Sequence, residues 1–256
     1  MIFYFSATGN SRFVAKVLAD HCQDELVCLN DYLKNQSKGE FSSEKPYVLV
    51  APVYAWKIPV RVQDFLAKAG FSGSRKWYVV VTMGGSSGAA ASACQTLLEQ
   101  RGMEFLGFQD IRMPDNFLIA DRMLEKSQAI EKIRASLPLI RQTAERISKG
   151  EHLPSKEESA KDRLLSGMVN WGFNHFMSKI CSFTVSEQCV RCGRCVQDCP
   201  TGNIRLTDTG ISFGDQCMFC LGCINQCPTH AIDCKGKGAQ NGRYTCPPDE
   251  EILSER

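Results

Sequence analysis

Two runs of cysteine carry the clearest chemistry in this chain of 256 residues. Residues 189–204 read CVRCGRCVQDCPTGNI and residues 217–232 read CMFCLGCINQCPTHAI. The second begins 28 residues after the first, and its cysteines, proline, threonine and isoleucine all fall in register. Each run has the spacing C-x2-C-x2-C-x3-C-P. Three cysteines two residues apart let one tight loop reach three corners of an iron–sulfur cube, while the fourth points away on the helix that follows and reaches a second cube. The expected ligands are Cys189, Cys192, Cys195 and Cys227 for one [4Fe–4S] cluster, and Cys217, Cys220, Cys223 and Cys199 for the other. Pro200 and Pro228 set the chain direction just after each crossing cysteine. Structural zinc sites use paired C-x2-C units with longer spacers, a pattern these runs do not follow.

The other six of the fourteen cysteines are scattered. Cys94, in a helical stretch, reads as a small buried hydrophobe; Cys181 and Cys234 flank the runs and take no assignment. Arg191 and Arg194 lie between the first-run ligands, where they either raise a cluster potential, mark a docking face or are simply solvated. The four histidines (His21, His152, His175, His230) are dispersed and match no nucleophile or zinc pattern. No Gly-x-Gly-x-x-Gly follows a strand, so nicotinamide binding is unsupported.

Three loops in the first half also have chemistry to offer. Ser6-Ala7-Thr8-Gly9-Asn10-Ser11 puts hydroxyls and backbone N–H groups at a helix N-terminus, a ready phosphate site, and Gly9 lets the backbone come close. Pro52-Val53-Tyr54-Ala55-Trp56-Lys57-Ile58-Pro59 carries two aromatics that can stack on a flat ring, or of which Trp56 merely packs on the surface. Thr82-Met83-Gly84-Gly85-Ser86-Ser87-Gly88 has glycines that let peptide groups approach a ring edge.

The elements that must position these loops alternate strand and helix. Buried runs at Ile2–Phe5, Leu26–Leu29, Tyr47–Val53, Trp77–Thr82 and Glu104–Ile111 predict five strands of a parallel sheet. Helices are expected over Asn10–Cys22, over Arg61–Ala69 closed by Gly70, and over Ser87–Arg101 with Gly102 behind it. Ile130, Ile133, Leu137, Ile140, Ala144 and Ile147 form one stripe of a further helix, which Pro138 should kink or divide. The result is a doubly wound α/β domain, in which ligands bind beyond the carboxyl ends of the strands. Residues 150–159 read as a linker. Residues 163–183 are apolar and aromatic with a helical period, as expected of an inter-domain packing helix; a membrane-surface helix would carry a Lys/Arg-rich face that this one lacks. From Lys235 on, the composition predicts a loosely held tail.

The totals fit this reading. Hydrophobic residues make up 43% of the chain, ordinary for a real core. The formal net charge of +2 divides into +4 over residues 1–150 and −2 over residues 151–256, too small a basic excess for nucleic acid. No apolar run reaches the roughly 18–20 residues of a membrane span, and MIFYFSATGN has no basic n-region. A cytoplasmic location is expected, where thiols stay reduced and a disulfide framework is disfavoured.

SATGNS after the IFYF strand, with Ala15 and Leu18 following, resembles the flavodoxin phosphate loop; Ser11 replaces the commoner threonine and keeps the hydroxyl. That resemblance covers residues 1–150. The cysteine repeat resembles bacterial-type ferredoxins with two [4Fe–4S] clusters, and the whole chain resembles the flavodoxin–ferredoxin fusion family. The resemblance implies a five-stranded flavodoxin-like domain over 1–150, a linker and packing helix over 151–183, a small α+β ferredoxin domain over 184–235 and a tail over 236–256. It implies FMN, with Ser6, Thr8, Gly9, Asn10 and Ser11 holding the phosphate. Tyr54 and Trp56 would stack on the isoalloxazine within the loop begun by Pro52, Val53 and Ala55. Gly84, Gly85 and Gly88, after Thr82, would line its edge.

The expected function is electron transfer within one chain between the two clusters and FMN, and onward to a redox partner protein or a small acceptor. Two alternatives are a true reductase with a substrate above Trp56, and a ferredoxin carried on a flavin-free docking domain.

Overall fold

A computed structural model describes residues 1–154, 157–180 and 182–254. The apolar runs fold as strands where both faces can be buried. The first half runs β1 (Ile2–Tyr4), α1 (Asn10–Cys22), β2 (Leu26–Cys28), α2 (Leu29–Lys34), β3 (Glu40–Ser43), β4 (Tyr47–Pro52), α3 (Val60–Lys68), β5 (Gly70–Gly73), β6 (Lys76–Met83), α4 (Ala90–Gln100) and β7 (Glu104–Arg112). After these come α5 (Lys126–Ser148), α6 (Ala160–Ile180), β8 (Phe183–Val185), α7 (Arg194–Gln197), β9 (Ile204–Thr207), β10 (Gly210–Phe213), α8 (Gly222–Asn225), β11 (Ile232–Cys234), α9 (Lys237–Asn241) and α10 (Asp249–Leu253).

Five strands form one parallel sheet in the order β2-β1-β4-β6-β7. Alternate residues divide between its faces. Phe3, Leu49, Val79 and Val81 meet α3 and α4 on one side, through Val62, Leu66, Cys94 and Leu98. Ile2, Val48, Val50 and Val80 meet α1 and α5 on the other, through Phe13, Leu18, Ile133 and Ile140. This is the flavodoxin-like doubly wound order, whose switch point lies between β1 and β4. The loops after β1, β4 and β6 therefore converge at one edge. The C-terminal region is a small α+β unit: β8 pairs with β11 and β9 with β10, both antiparallel. A third core joins it to the first domain, with Leu118, Met123 and Ala129 packed among Phe219, Ile224, Ile232 and Tyr244.

Three expectations need correction and one is narrowed. Gly70 does not cap α3 in a left-handed turn; Ala69 is already extended and Gly70 opens β5, which pairs in parallel with β3 beside the main sheet. The helix expected from Ser87 begins at Ala90, because Gly88 turns left-handed before it. Of the two outcomes expected at Pro138, division does not occur: α5 is one element across it, with Ile133, Leu137, Ile140, Ala144 and Ile147 buried. The described part of the tail is not loose. Tyr244 and Ile252 are buried, the Cys246 N–H donates to the Thr8 carbonyl at 2.7 Å, and the Arg12 guanidinium donates to Asp249. The linker and packing-helix spans include residues 155, 156 and 181, and the tail includes 255 and 256, all outside the described residues.

Candidate functional site

The loop after β1 leads into α1, whose N-cap Gly9 makes no side-chain cap hydrogen bond, and a helix start of this kind offers its first-turn N–H groups to an anion. Gly9 is left-handed at φ 105°, and a Cβ there would lie 2.6 Å from the Cβ of Cys246. Side chains hold the loop in shape. The Gly9 N–H donates to Ser6 Oγ, and the Ser6 amide and carbonyl both pair with the Asn30 carboxamide. Ser11 and Thr82 share a hydroxyl hydrogen bond of 2.8 Å, and Asn116 Nδ2 donates to Thr8 Oγ1. Asn10 is fixed from two sides, donating to the Pro114 carbonyl and accepting from the Tyr244 hydroxyl. Thr8, Asn10, Ser11, Pro52, Val53 and Thr82 line one narrow cavity.

That cavity continues into a cleft of about 340 Å³, a size ordinary for a small-molecule site of roughly 300–1,000 Å³. Val53, Tyr54, Ala55 and Trp56 form one wall, and Gly84 and Gly85 an edge. Tyr54 and Lys57 exchange backbone hydrogen bonds across a two-residue turn whose central residues, Ala55 and Trp56, are both left-handed (φ 48° and 67°). Such a turn normally uses glycine or asparagine, and each left-handed L-residue costs about 1–2 kcal/mol. Gly88 lies under Trp56, where a Cβ would run into the indole's Cβ and Cγ. The Tyr54 hydroxyl is buried with no hydrogen-bond partner, and burial, with Cys220 and Asp115 nearby, pushes its pKa well above the usual phenol value. An unpartnered buried donor beside an aromatic-lined cleft fits a heteroaromatic ligand with acceptor atoms.

Five residues of this cleft escaped the sequence reading: Asp115, Asn116, Phe117, Phe173 and Phe219. Asp115 and Phe117 follow β7, whose loop at the same sheet edge was the signal to use. Phe173 comes from α6 and Phe219 from the second cysteine run, and nothing in the first half points to either.

The cysteines gather in two groups. Cys195 has Cys189, Cys227 and Cys192 as electrostatic neighbours, and burial raises its thiol. Cys223 faces Cys220, Cys217 and Cys199, with Cys195 next; burial raises it well above the usual thiol range. Cys220 is pushed up to about 12 by burial, against the opposing Gly222 N–H. Burial also raises Cys227, but the N–H groups of Ile232, Ala231 and Thr229 outweigh it and lower the thiol overall. Backbone N–H groups of Asn203 and Phe219 donate to the sulfurs of Cys199 and Cys217. Neighbouring, partly enclosed thiols of this kind suit a cationic metal core, which deprotonates its thiol ligands.

A flavodoxin domain model matches residues 1–105, and a 4Fe-4S dicluster domain model matches residues 188–232. The chain is a flavodoxin–ferredoxin fusion. Its cofactor classes are accordingly FMN and iron–sulfur clusters, and its class of function is electron transport. The fusion is distantly similar to solved structures. A flavodoxin from the domain Archaea shares 14% identity over 57% of this chain and 96% of its own, with a TM-score of 0.36. The two-electron reduced flavodoxin of Megasphaera elsdenii shares 16% over 43% and 85%, at 0.33. General stress protein 14 of Treponema denticola, solved with FMN, shares 11% over 57% and 97%, at 0.37. No curated protein matches the fusion. Among its described residues no helix is long and apolar enough to cross a membrane.

In the fusion the two matched segments meet at the cleft. Gln226 Nε2, from the ferredoxin part, donates to the Ala7 carbonyl at 2.5 Å. Gly222 lies against the same residue, and Met218 is buried in the flavodoxin core with Phe5 and Ala51.

Proposed function

We propose that the chain relays electrons between two [4Fe–4S] clusters and an FMN bound in the same polypeptide. One observation carries the reading: Phe219, two residues after Cys217 and next to Cys220, lines the cleft formed by Tyr54 and Trp56. The second cysteine run is thus a wall of the expected flavin site, and Tyr54 lies within the electrostatic reach of Cys220. Bound FMN accepts one or two electrons and an iron–sulfur cluster one, so the cofactors supply conversion between single-electron and two-electron transfer.

The chain's own residues bind and orient. Cys189, Cys192, Cys195 and Cys227 would hold one cluster; Cys217, Cys220, Cys223 and Cys199 would hold the other. The α1 N-terminus with Ser6, Thr8, Gly9, Asn10 and Ser11 would hold the FMN phosphate, and Tyr54, Trp56, Gly84 and Gly85 would bound its ring. The surroundings favour an order. Cys192 is exposed, whereas Cys220 and Cys223 are only partly exposed and stand among the buried Phe219, Leu221 and Ile224. The first run therefore offers the side for a redox partner, and the second the side for the flavin.

The test is cofactor content of protein purified without oxygen, followed by reduction of the clusters by a limiting electron donor. About eight irons and one FMN per chain are expected, with flavin absorbance bleaching after that of the clusters. Iron without flavin, even after FMN is added back, overturns the relay and leaves a ferredoxin on a docking domain.

A further inference from the structure

Helix α6 lies outside both matched segments, in the stretch that reads from sequence as a linker and inter-domain packing helix. Its contacts go to the cleft. The Asn170 carboxamide donates to the carbonyls of Tyr54 (3.0 Å) and Ala55 (3.3 Å), the turn that contains the two left-handed residues. One turn earlier, the buried Ser166 hydroxyl accepts from the Ala89 N–H at 3.0 Å. Just before the helix, the Glu158 carboxylate accepts from the first-turn amides of Ala91 and Ser92. Helix α6 and the segment leading into it thus hold the Tyr54–Ala55 turn through Asn170, and the start of α4, just past the loop 82–88, through Ser166 and Glu158.

Between these anchors Phe173 enters the cleft wall. Its ring centroid lies 6.4 Å from Tyr54, 6.4 Å from Phe117 and 6.1 Å from Phe219. These spacings are those of interacting aromatic rings. The loop 82–88 contains no aromatic residue; the rings that join Tyr54 and Trp56 in the cleft are Phe117, Phe173 and Phe219. The outward residues of the same helix are different in kind: Trp171 is 57% exposed and Phe176 47%.

We propose that α6 is a structural part of the flavin site, with Phe173 in contact with the isoalloxazine and Asn170 as the positioning residue for the Tyr54–Trp56 turn. This rests on the FMN reading above. The flavin of this chain is then enclosed between the flavodoxin loops and a helix outside both matched segments, with Phe219 of the second cysteine run as its neighbour.

The experiment titrates FMN into flavin-depleted full-length protein that retains its iron, following the flavin's visible absorption band and circular dichroism together with the dissociation constant. Phe173→Ala is expected to weaken FMN binding about tenfold and to shift the visible band and dichroism of the bound flavin, which report what packs on its ring. Phe173→Leu keeps apolar volume and should show the same spectral change, so it tests the contact even where the alanine variant folds poorly. Asn170→Ala should weaken binding by about threefold, roughly half the tenfold effect in free energy, without changing the spectrum of the saturated protein. Phe176→Ala, three positions away on the exposed side, should match the wild type. Wild-type affinity and flavin spectrum in both Phe173 variants overturn the proposal while FMN binding itself stands. Failure of the wild type to bind FMN overturns the parent reading, and this one with it.

Discussion

The two cysteine runs share one spacing and live in opposite surroundings. Between its first ligands the run at 189–199 carries Val190 and Arg191; Val190 is 64% exposed and Arg191 reaches over to the carbonyls of Thr207 and Asp208. The equivalent positions of the run at 217–227 carry Met218 and Phe219, both buried, one in the flavodoxin core and one in the core that joins the two parts. The iron chemistry fixes only where the cysteines stand. The residues between them are free to vary, and here they turn one run toward solvent and the other into the molecule. Hydrogen bonding to sulfur and exposure set cluster potentials, so two runs of the same spacing need not behave alike.

The sharpest way to break this comparison is to remove one ligand from each run. Cys223→Ser should lose about half of roughly eight irons and also weaken FMN binding, because its loop walls the cleft. Cys192→Ser should lose a similar share of iron and keep FMN affinity. Iron, sulfide and flavin counts per chain read both, and equal flavin loss in the two variants would erase the distinction.

Next in size is the packing between the ligands. Met218→Ala should destabilise the protein by about 2–5 kcal/mol, the range for emptying a buried site. Val190→Ala, at the equivalent exposed position, should stay within about 0.5 kcal/mol. Anaerobic denaturant titration compares them; similar losses would mean that the first run is as enclosed as the second.

A smaller effect belongs to Tyr244, which ties the second run to the phosphate loop. Its N–H donates to Asn225 Oδ1 in α8, and its hydroxyl donates to Asn10 Oδ1 at 2.6 Å. Tyr244→Phe keeps the packing, removes the second bond and should cost about 1 kcal/mol in the same titration. No change would mean that the bond adds nothing to the packing.

The smallest effect is acid dependence. Burial opposes ionisation of Asp249, but the hydrogen bond and charge of Arg12, with Lys16 beyond, hold its carboxyl below the usual range. A depressed carboxylate contributes stability that is complete above the ordinary aspartate value of about 3.9 and is lost as pH falls through the lower folded value. Arg12 is 39% exposed, so solvent screening keeps the gain below about 1 kcal/mol. Asp249→Asn should flatten the stability profile between about pH 5 and pH 3; an unchanged slope there would remove Asp249 from the account.

Much of the fold is readable in the chain. The runs Tyr47–Val53 and Trp77–Thr82 are long enough to be buried on both faces, and they became β4 and β6. The pair β3–β5 is not readable, since EFSS and GFSG each contain one large apolar residue, below any period. Phe41 and Phe71 stack on one another at 5.8 Å only once the chain has closed. The tail misled for a similar reason: its composition is that of a loose segment, yet Tyr244, Cys246 and Asp249 find partners more than two hundred residues earlier.

Residue pattern alone carries the cysteine spacing, the helix N-terminus behind Gly9 and the strand–helix alternation whose sheet brings the loops after β1, β4 and β6 to one edge. Each of these follows from local geometry, which neighbouring residues settle among themselves. Tertiary structure decided which cysteine run lies against the cleft, and that Phe117, Phe173 and Phe219 share one wall. Those contacts join residues from three separate stretches, and an aromatic side chain carries the same apolar surface whether it ends in a core, on a surface or in a site. Which of these it becomes depends on the partner surface, and that exists only after the chain has folded.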